Sequence, residues 1–162
     1  MVSAGRRAYS MAEGNRAADK FVAACEQKGY TCEKTPRKVD IEEHIDYYVH
    51  RGSRSTVGVD VKGGNHPKTI WIEFKNVRGE KGSLQGKADF MAFELAEAGG
   101  FIMVLREELL SWAEENVEKT FVGKKEATRK LYTREGREDV ISRIWWSDLQ
   151  QLPSYSVIPY AV

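Results

Sequence analysis

Apolar positions change period several times along the chain, and each change marks an element. In "SMAEGNRAADKFVAACEQKG", Ala17, Ala18, Phe21, Val22 and Cys25 recur at helical spacing. That pattern predicts a helix opened by Ser10 and Glu13 at capping-box spacing and stopped at Gly29. "YTCEKT" predicts a short strand, and "VDIEE" an acidic turn. Alternation with period two then takes over: "HIDYYVHRGSRSTVGVDVKGG", residues 44–64, reads as two strands joined through "RGSR". "TIWIEFKNV" predicts a further strand with Ile70, Ile72 and Phe74 on one face and Trp71, Glu73 and Lys75 on the other. After the glycine-studded "RGEKGSLQGK", the segment "ADFMAFELAEA" predicts a helix ending at Gly99 and Gly100. "FIMVLRE" is a continuous apolar run, the mark of a strand buried on both faces in the middle of a sheet. A helix over "ELLSWAEENVEK", a basic loop, a strand at "VISRIWW", a one-turn helix capped by Ser147 and a proline-containing tail complete the reading. The sum is an α/β fold with a mixed central β-sheet flanked by helices. It forms one domain over 1–162, with its core at about 10–150.

Apolar positions also decide how the two strands of 44–64 pair. Ile45, Tyr47 and Val49 must share a buried face with Val57, Val59 and Val61, which pairs 45 with 61, 47 with 59 and 49 with 57. A slip of one residue would set Ile45 against Asp60 and mix the faces. The favoured register needs an odd-numbered loop, supplied by Gly52, Ser53 and Arg54. Asp46 then falls opposite Asp60 on the other face, with Lys62 two residues beyond. Carboxylates facing each other at a Cβ separation of ~5 Å are destabilising unless positive charge lies between them. Lys62 could supply that charge at a solvent-facing pair. A hard divalent cation such as Mg²⁺ could supply it instead, since it takes one or two carboxylates, keeps waters and completes its shell with phosphate oxygens. On charge geometry alone both readings stand.

Composition narrows the class. The chain has 162 residues, 41% of them hydrophobic and 30% charged, with a formal net charge of +1. No apolar run approaches the roughly 18 residues of a membrane span. "MVSAGRRAYSMAEGNRAAD" has no apolar stretch behind its arginines, so the expected location is cytoplasmic. Cys25 and Cys32 are too few for a metal knuckle and are read as reduced thiols. With the net charge near neutral, a polyanion would have to meet local basic patches: Arg6 with Arg7, "TPRK", "HRGSR" including Arg51 and Arg54, or "GKKEATRK". Arg78, Lys81 and Lys87, among Gly79, Gly82 and Gly86, form a further basic loop able to touch DNA phosphates. His44, His50 and His66 lack partners at ligand spacing and read as surface histidines. Trp71 could stack on a base or cover the sheet, the latter being preferred. Trp145 and Trp146 anchor the C-terminal strand or a dimer interface.

"HIDYYV", a turn and "VGVDVKGG" together resemble the active-site hairpin of the PD-(D/E)XK nuclease superfamily. In that family an Asp on one strand precedes (Asp/Glu)-x-Lys on the next. "AEGNRAADKFVAACEQKGYTCEKT" is similar to the opening of archaeal Holliday junction resolvases, whose first helix carries a Glu that completes the metal shell; Glu13 stands in that position. "WIEFKNVRGEKGSLQGKADFMAFE" looks like small nuclease-fold proteins of tailed phages. The resemblance covers roughly residues 10–105. It implies a restriction-endonuclease-like core and an endonuclease acting on branched or structured DNA, as a homodimer. Asp46, Asp60 and the Val61 carbonyl would hold Mg²⁺ or Mn²⁺, Lys62 would act on the attacking water or the transition-state charge, and Glu13 would orient a metal-bound water. Ile45 stands where the family often has proline. A second match, Glu73-x-Lys75 with Asp60 as its upstream acid, is the alternative set. The rival reading is a nuclease-fold phage protein that no longer cuts and instead binds a host protein or nucleic acid.

Overall fold

The computed structural model describes residues 4–64 and 66–162, with side chains from Gly14 onward. In chain order, α1 (Ala4–Gln27) is followed by β1 (Thr31–Lys34), α2 (Arg37–Glu43), β2 (Tyr47–His50) and β3 (Val57–Lys62). Next come β4 (Thr69–Lys75), β5 (Phe90–Leu95), β6 (Gly100–Leu105) and α3 (Arg106–Asn116). The C-terminal part holds β7 (Glu118–Phe121), β8 (Lys130–Leu131), β9 (Val140–Trp145), α4 (Trp146–Gln150) and β10 (Ser156–Pro159). Six strands form one mixed sheet in the order β1-β2-β3-β5-β6-β10. Its neighbours run antiparallel except for the parallel pair β3–β5. β4 pairs antiparallel with β9 in a separate small sheet.

Strand alternation divides the core into two layers. On one face of the large sheet Val49, Val59, Ala92, Phe101 and Met103 pack against Phe21 and Cys25 of α1. On the other, Met91, Phe93, Leu95, Ile102 and Val104 meet Ile70, Ile72 and Phe74 of β4, Ile144 of β9, Leu109 of α3 and Leu149 of α4. Asp60 and Lys62, opposite in parity to Val59, therefore belong to the face roofed by the β4–β9 layer.

The α/β class and the mixed sheet agree with the sequence pattern, and five local expectations do not. Residues 90–95 form β5, not a helix. Phe90, Met91, Ala92, Phe93 and Leu95 are apolar on both sides because α1 covers one face of the strand and the β4–β9 layer with α3 covers the other, and such a run has no period to separate it from a buried helix. Helix α1 begins at Ala4, so Ser10 lies inside it and is no cap. The acidic segment before β2 belongs to α2, and the tail supplies the edge strand β10. Ser147 sits within α4; the Trp145 N–H at its start is taken by the Asp148 carboxylate at 2.9 Å. β10 approaches β6 so closely that a Cβ on Gly100 would lie 2.1 Å from the Ile158 carbonyl oxygen.

Candidate functional site

The hairpin has the register its apolar positions require, with Tyr47 opposite Val59, Tyr48 opposite Gly58 and Val49 opposite Val57. The turn between them uses Gly52 at φ +57°, a left-handed conformation that favours glycine. The regular ladder stops at Tyr47, so the expected pairing of 45 with 61, and with it Asp46 directly opposite Asp60, does not form. The Asp46 N–H still donates to Val59 O at 2.9 Å, but the Val61 N–H turns to the Asp46 carboxylate, Oδ2, at 2.7 Å. Ile45 leaves the face of Tyr47, contrary to the sequence expectation. Its carbonyl accepts a 2.6 Å hydrogen bond from the buried Thr35 hydroxyl, and its side chain lies where a Cβ on Gly58 would meet Cγ2 at 3.1 Å. The chain enters this bend through His44, whose φ of 55° ends α2. Together these contacts fix Asp46 beside β3 without a regular strand behind it.

Asp60 is only 3% exposed. Its Oδ1 lies 3.5 Å from the Lys62 ammonium, and its Oδ2 is buried with no hydrogen-bond partner among the described residues. A buried polar atom left unpaired costs roughly 1–3 kcal/mol, so this oxygen calls for an explanation. Burial raises the Asp60 carboxyl above its ordinary range, opposed chiefly by the Lys62 charge. Burial and then the neighbouring Asp60 charge push Asp46 up to about 8, against the Val61 hydrogen bond, which favours the ionised form. Burial disfavours the Lys62 charge, but Asp60, Glu73 and Asp46 outweigh it and raise its pKa. The Lys62 side chain keeps 38% of its surface exposed, so its desolvation is partial. Glu73 comes from β4, where its Oε1 accepts the Ser83 N–H at 3.1 Å. Three carboxylates and one ammonium thus share one site.

Glu73 joins the preferred trio, while Lys75 does not: it is exposed beyond an irregularity in the β4–β9 pairing. The Val61 carbonyl points to the same side of β3 as its N–H, toward Asp46. Glu13 lies in α1, but its side chain is outside the described residues. From Gly14 onward α1 packs on the opposite face of the sheet, where Arg16 bonds the buried Glu94 carboxylate at 3.0 Å. Arg51 and Arg54 lie at the hairpin tip, away from the carboxylates, with the Arg51 guanidinium 5.6 Å from the Tyr30 ring centre. Lys81 and Lys87 border the site's other side. The Lys81 carbonyl accepts from His44 Nε2 at 3.0 Å, and the Lys87 N–H donates to Glu43 O at 2.8 Å. Arg78 is exposed in the turn beyond them. His66 accepts the Lys68 and Thr69 N–H groups, each at 3.1 Å, and so shapes the entry to β4.

A cleft of about 380 Å³ opens from Lys62 and Glu73 along the outer face of β4–β9. Lys124, Tyr132 and Arg134 line it, more than 60 positions from the hairpin, and no local sequence signal linked them to it. Glu94, read as helical from the sequence, also reaches its margin.

Two carboxylates, one with an unpartnered buried oxygen, and an adjacent backbone carbonyl match what Mg²⁺ or Mn²⁺ requires of a protein. Among the described residues no group of three or more His, Cys, Asp or Glu side chains converges to hold a metal ion. None of the helices described is long and apolar enough to cross a membrane. No family model, curated protein or solved structure matches the chain.

Proposed function

We propose that the protein is a divalent-metal-dependent endonuclease with a PD-(D/E)XK-like core, hydrolysing phosphodiester bonds in branched or otherwise structured DNA. The observation that carries the reading is the buried, unpartnered Asp60 oxygen in a carboxylate whose charge pushes up the neighbouring Asp46. A pure binding surface has no use for opposed carboxylates whose ionisation burial resists. Asp46 and Asp60 would hold Mg²⁺ or Mn²⁺ with the Val61 carbonyl. When bound, the ion supplies an acidified water and charge stabilisation at the phosphorus. Lys62 keeps an ammonium beside Asp60, positioned to orient a water or to neutralise charge developing on the phosphate. Glu73 adds negative charge that holds Lys62 protonated. The core proposal draws support from the succession of helix, strand, hairpin and parallel neighbour in α1, β1, β2–β3 and β5, although β4 and a short 3₁₀ turn occupy the crossover.

Incubation with a four-way junction and Mn²⁺ tests the proposal. Wild type should cut, while Asp60→Asn and Lys62→Met should fold and bind DNA without cutting. Failure of wild type to cut any DNA would overturn it. The Lys62–Asp60 pair favours one other reading, a charge-compensated relic in a protein that binds a host protein or nucleic acid. That reading predicts indifference to Asp60→Asn.

A further inference from the structure

The cleft beside Lys62 carries information about the substrate. Its outer wall is aromatic: Trp71 and Tyr132 are half-buried there, with ring centres 5.9 Å apart and planes inclined at 37°. Arg143 lies over Trp71 at 5.6 Å and backs the platform with positive charge. Two cations extend along the same wall. Lys124 is exposed, and Arg134 is oriented by Asp139, a fully buried carboxylate that accepts both its backbone N–H, at 3.0 Å, and its Nε–H. Held at Nε, the guanidinium keeps its terminal nitrogens for an anion, the geometry in which arginine reads phosphate. A volume of about 380 Å³ is near the lower end of ligand-sized pockets, enough for about one nucleotide and far too small for a duplex. Aromatic faces with interleaved cations are what a base and its flanking phosphates require, since every base presents a π-face.

We propose that the cleft takes one unpaired nucleotide of the substrate strand, its base against Trp71 and Tyr132 and its phosphates on Lys124 and Arg134. As a statement about cleavage this rests on the nuclease reading; as a statement about binding it does not. The nucleotide next to the bond to be cut would then be unstacked, so flaps, bulges and junction arms are favoured over continuous duplex.

The test is fluorescence anisotropy of metal-free wild type with labelled oligothymidylate, oligouridylate and a blunt duplex. At least one single strand should bind about tenfold or more tightly than the duplex, the two arms telling DNA from RNA. Tyr132→Leu should weaken single-strand binding by roughly 5- to 150-fold, the range expected from loss of one stacked base, and leave duplex binding unchanged. Lys124→Ala, at an exposed position, should weaken it and flatten its salt dependence without disturbing the fold. Equal affinity for single strand and duplex, or a folded Tyr132→Leu that binds single strands as wild type does, would overturn the proposal. Single-strand binding without cleavage would refute the nuclease reading and leave the nucleotide site standing. Cleavage without strand preference would do the reverse.

Discussion

Stability should fall as pH rises through neutrality, and Asp46 is the residue responsible. Its carboxyl is pushed up to about 8 by burial and by Asp60, whereas an unfolded aspartate titrates near ~3.9. Between those values the folded protein holds a proton that the unfolded chain has lost. Unfolding therefore releases a proton, and the free energy of unfolding falls by about 1.4 kcal/mol per pH unit. Stability is fully present below the unfolded value and is lost up to the folded one, opposite in sign to a salt-bridged aspartate. Carried across the whole interval the loss would reach about 6 kcal/mol, a ceiling, since Asp46 and Asp60 share the burden and the site relaxes. Between about pH 6 and pH 7.5 the expected loss is about 2 kcal/mol. Asp46→Asn keeps an acceptor for the Val61 N–H but cannot ionise, so it should lack this component. Urea unfolding of both proteins in chelator at several pH values measures it, and contributions from the three histidines cancel in the difference. Parallel stability curves for wild type and Asp46→Asn would refute the reasoning.

Three further outcomes follow from the packing. Lys62→Met removes the ammonium beside Asp60 and should cost about 2–4 kcal/mol in urea unfolding above neutral pH, less in acid where the carboxylates protonate. Gly100→Ala places a Cβ against the Ile158 carbonyl and should cost about 2–3 kcal/mol, read as a lower urea midpoint, by pushing β10 off the sheet edge. Arg106 donates to the Ala88 and Leu84 carbonyls at 2.7 and 3.1 Å; Arg106→Met should cost about 1–3 kcal/mol and speed amide exchange over residues 82–88.

The hairpin was legible because a one-residue slip exchanges faces, and Val57, Val59 and Val61 permit a single solution. Ile45 escaped that logic because a tertiary bond from Thr35 bends the chain just before the strand. β5 was illegible for the opposite reason: a strand buried on both faces has no alternation, and Met, Ala, Phe, Glu and Leu suit a helix as well. Asp46 does lie beside Asp60, but not through the pairing that parity predicted: the ladder ends at Tyr47–Val59, and Asp46 reaches β3 by accepting the Val61 N–H. The burial that strands one Asp60 oxygen, on the sheet face roofed by the β4–β9 layer, left no mark in the hairpin's sequence. Lys124, Tyr132 and Arg134 reach the cleft through long-range pairing of β9 with β4, where no period or motif advertises them.

Calorimetric titration of Mn²⁺ into wild type and Asp60→Asn at slightly alkaline pH bears most directly on the central claim. A bound ion in wild type, lost in Asp60→Asn and accompanied by proton release as Asp46 ionises, is the predicted result. No heat of binding in wild type, or equal binding in the variant, would contradict it and leave Lys62 as the only cation the site was built to hold.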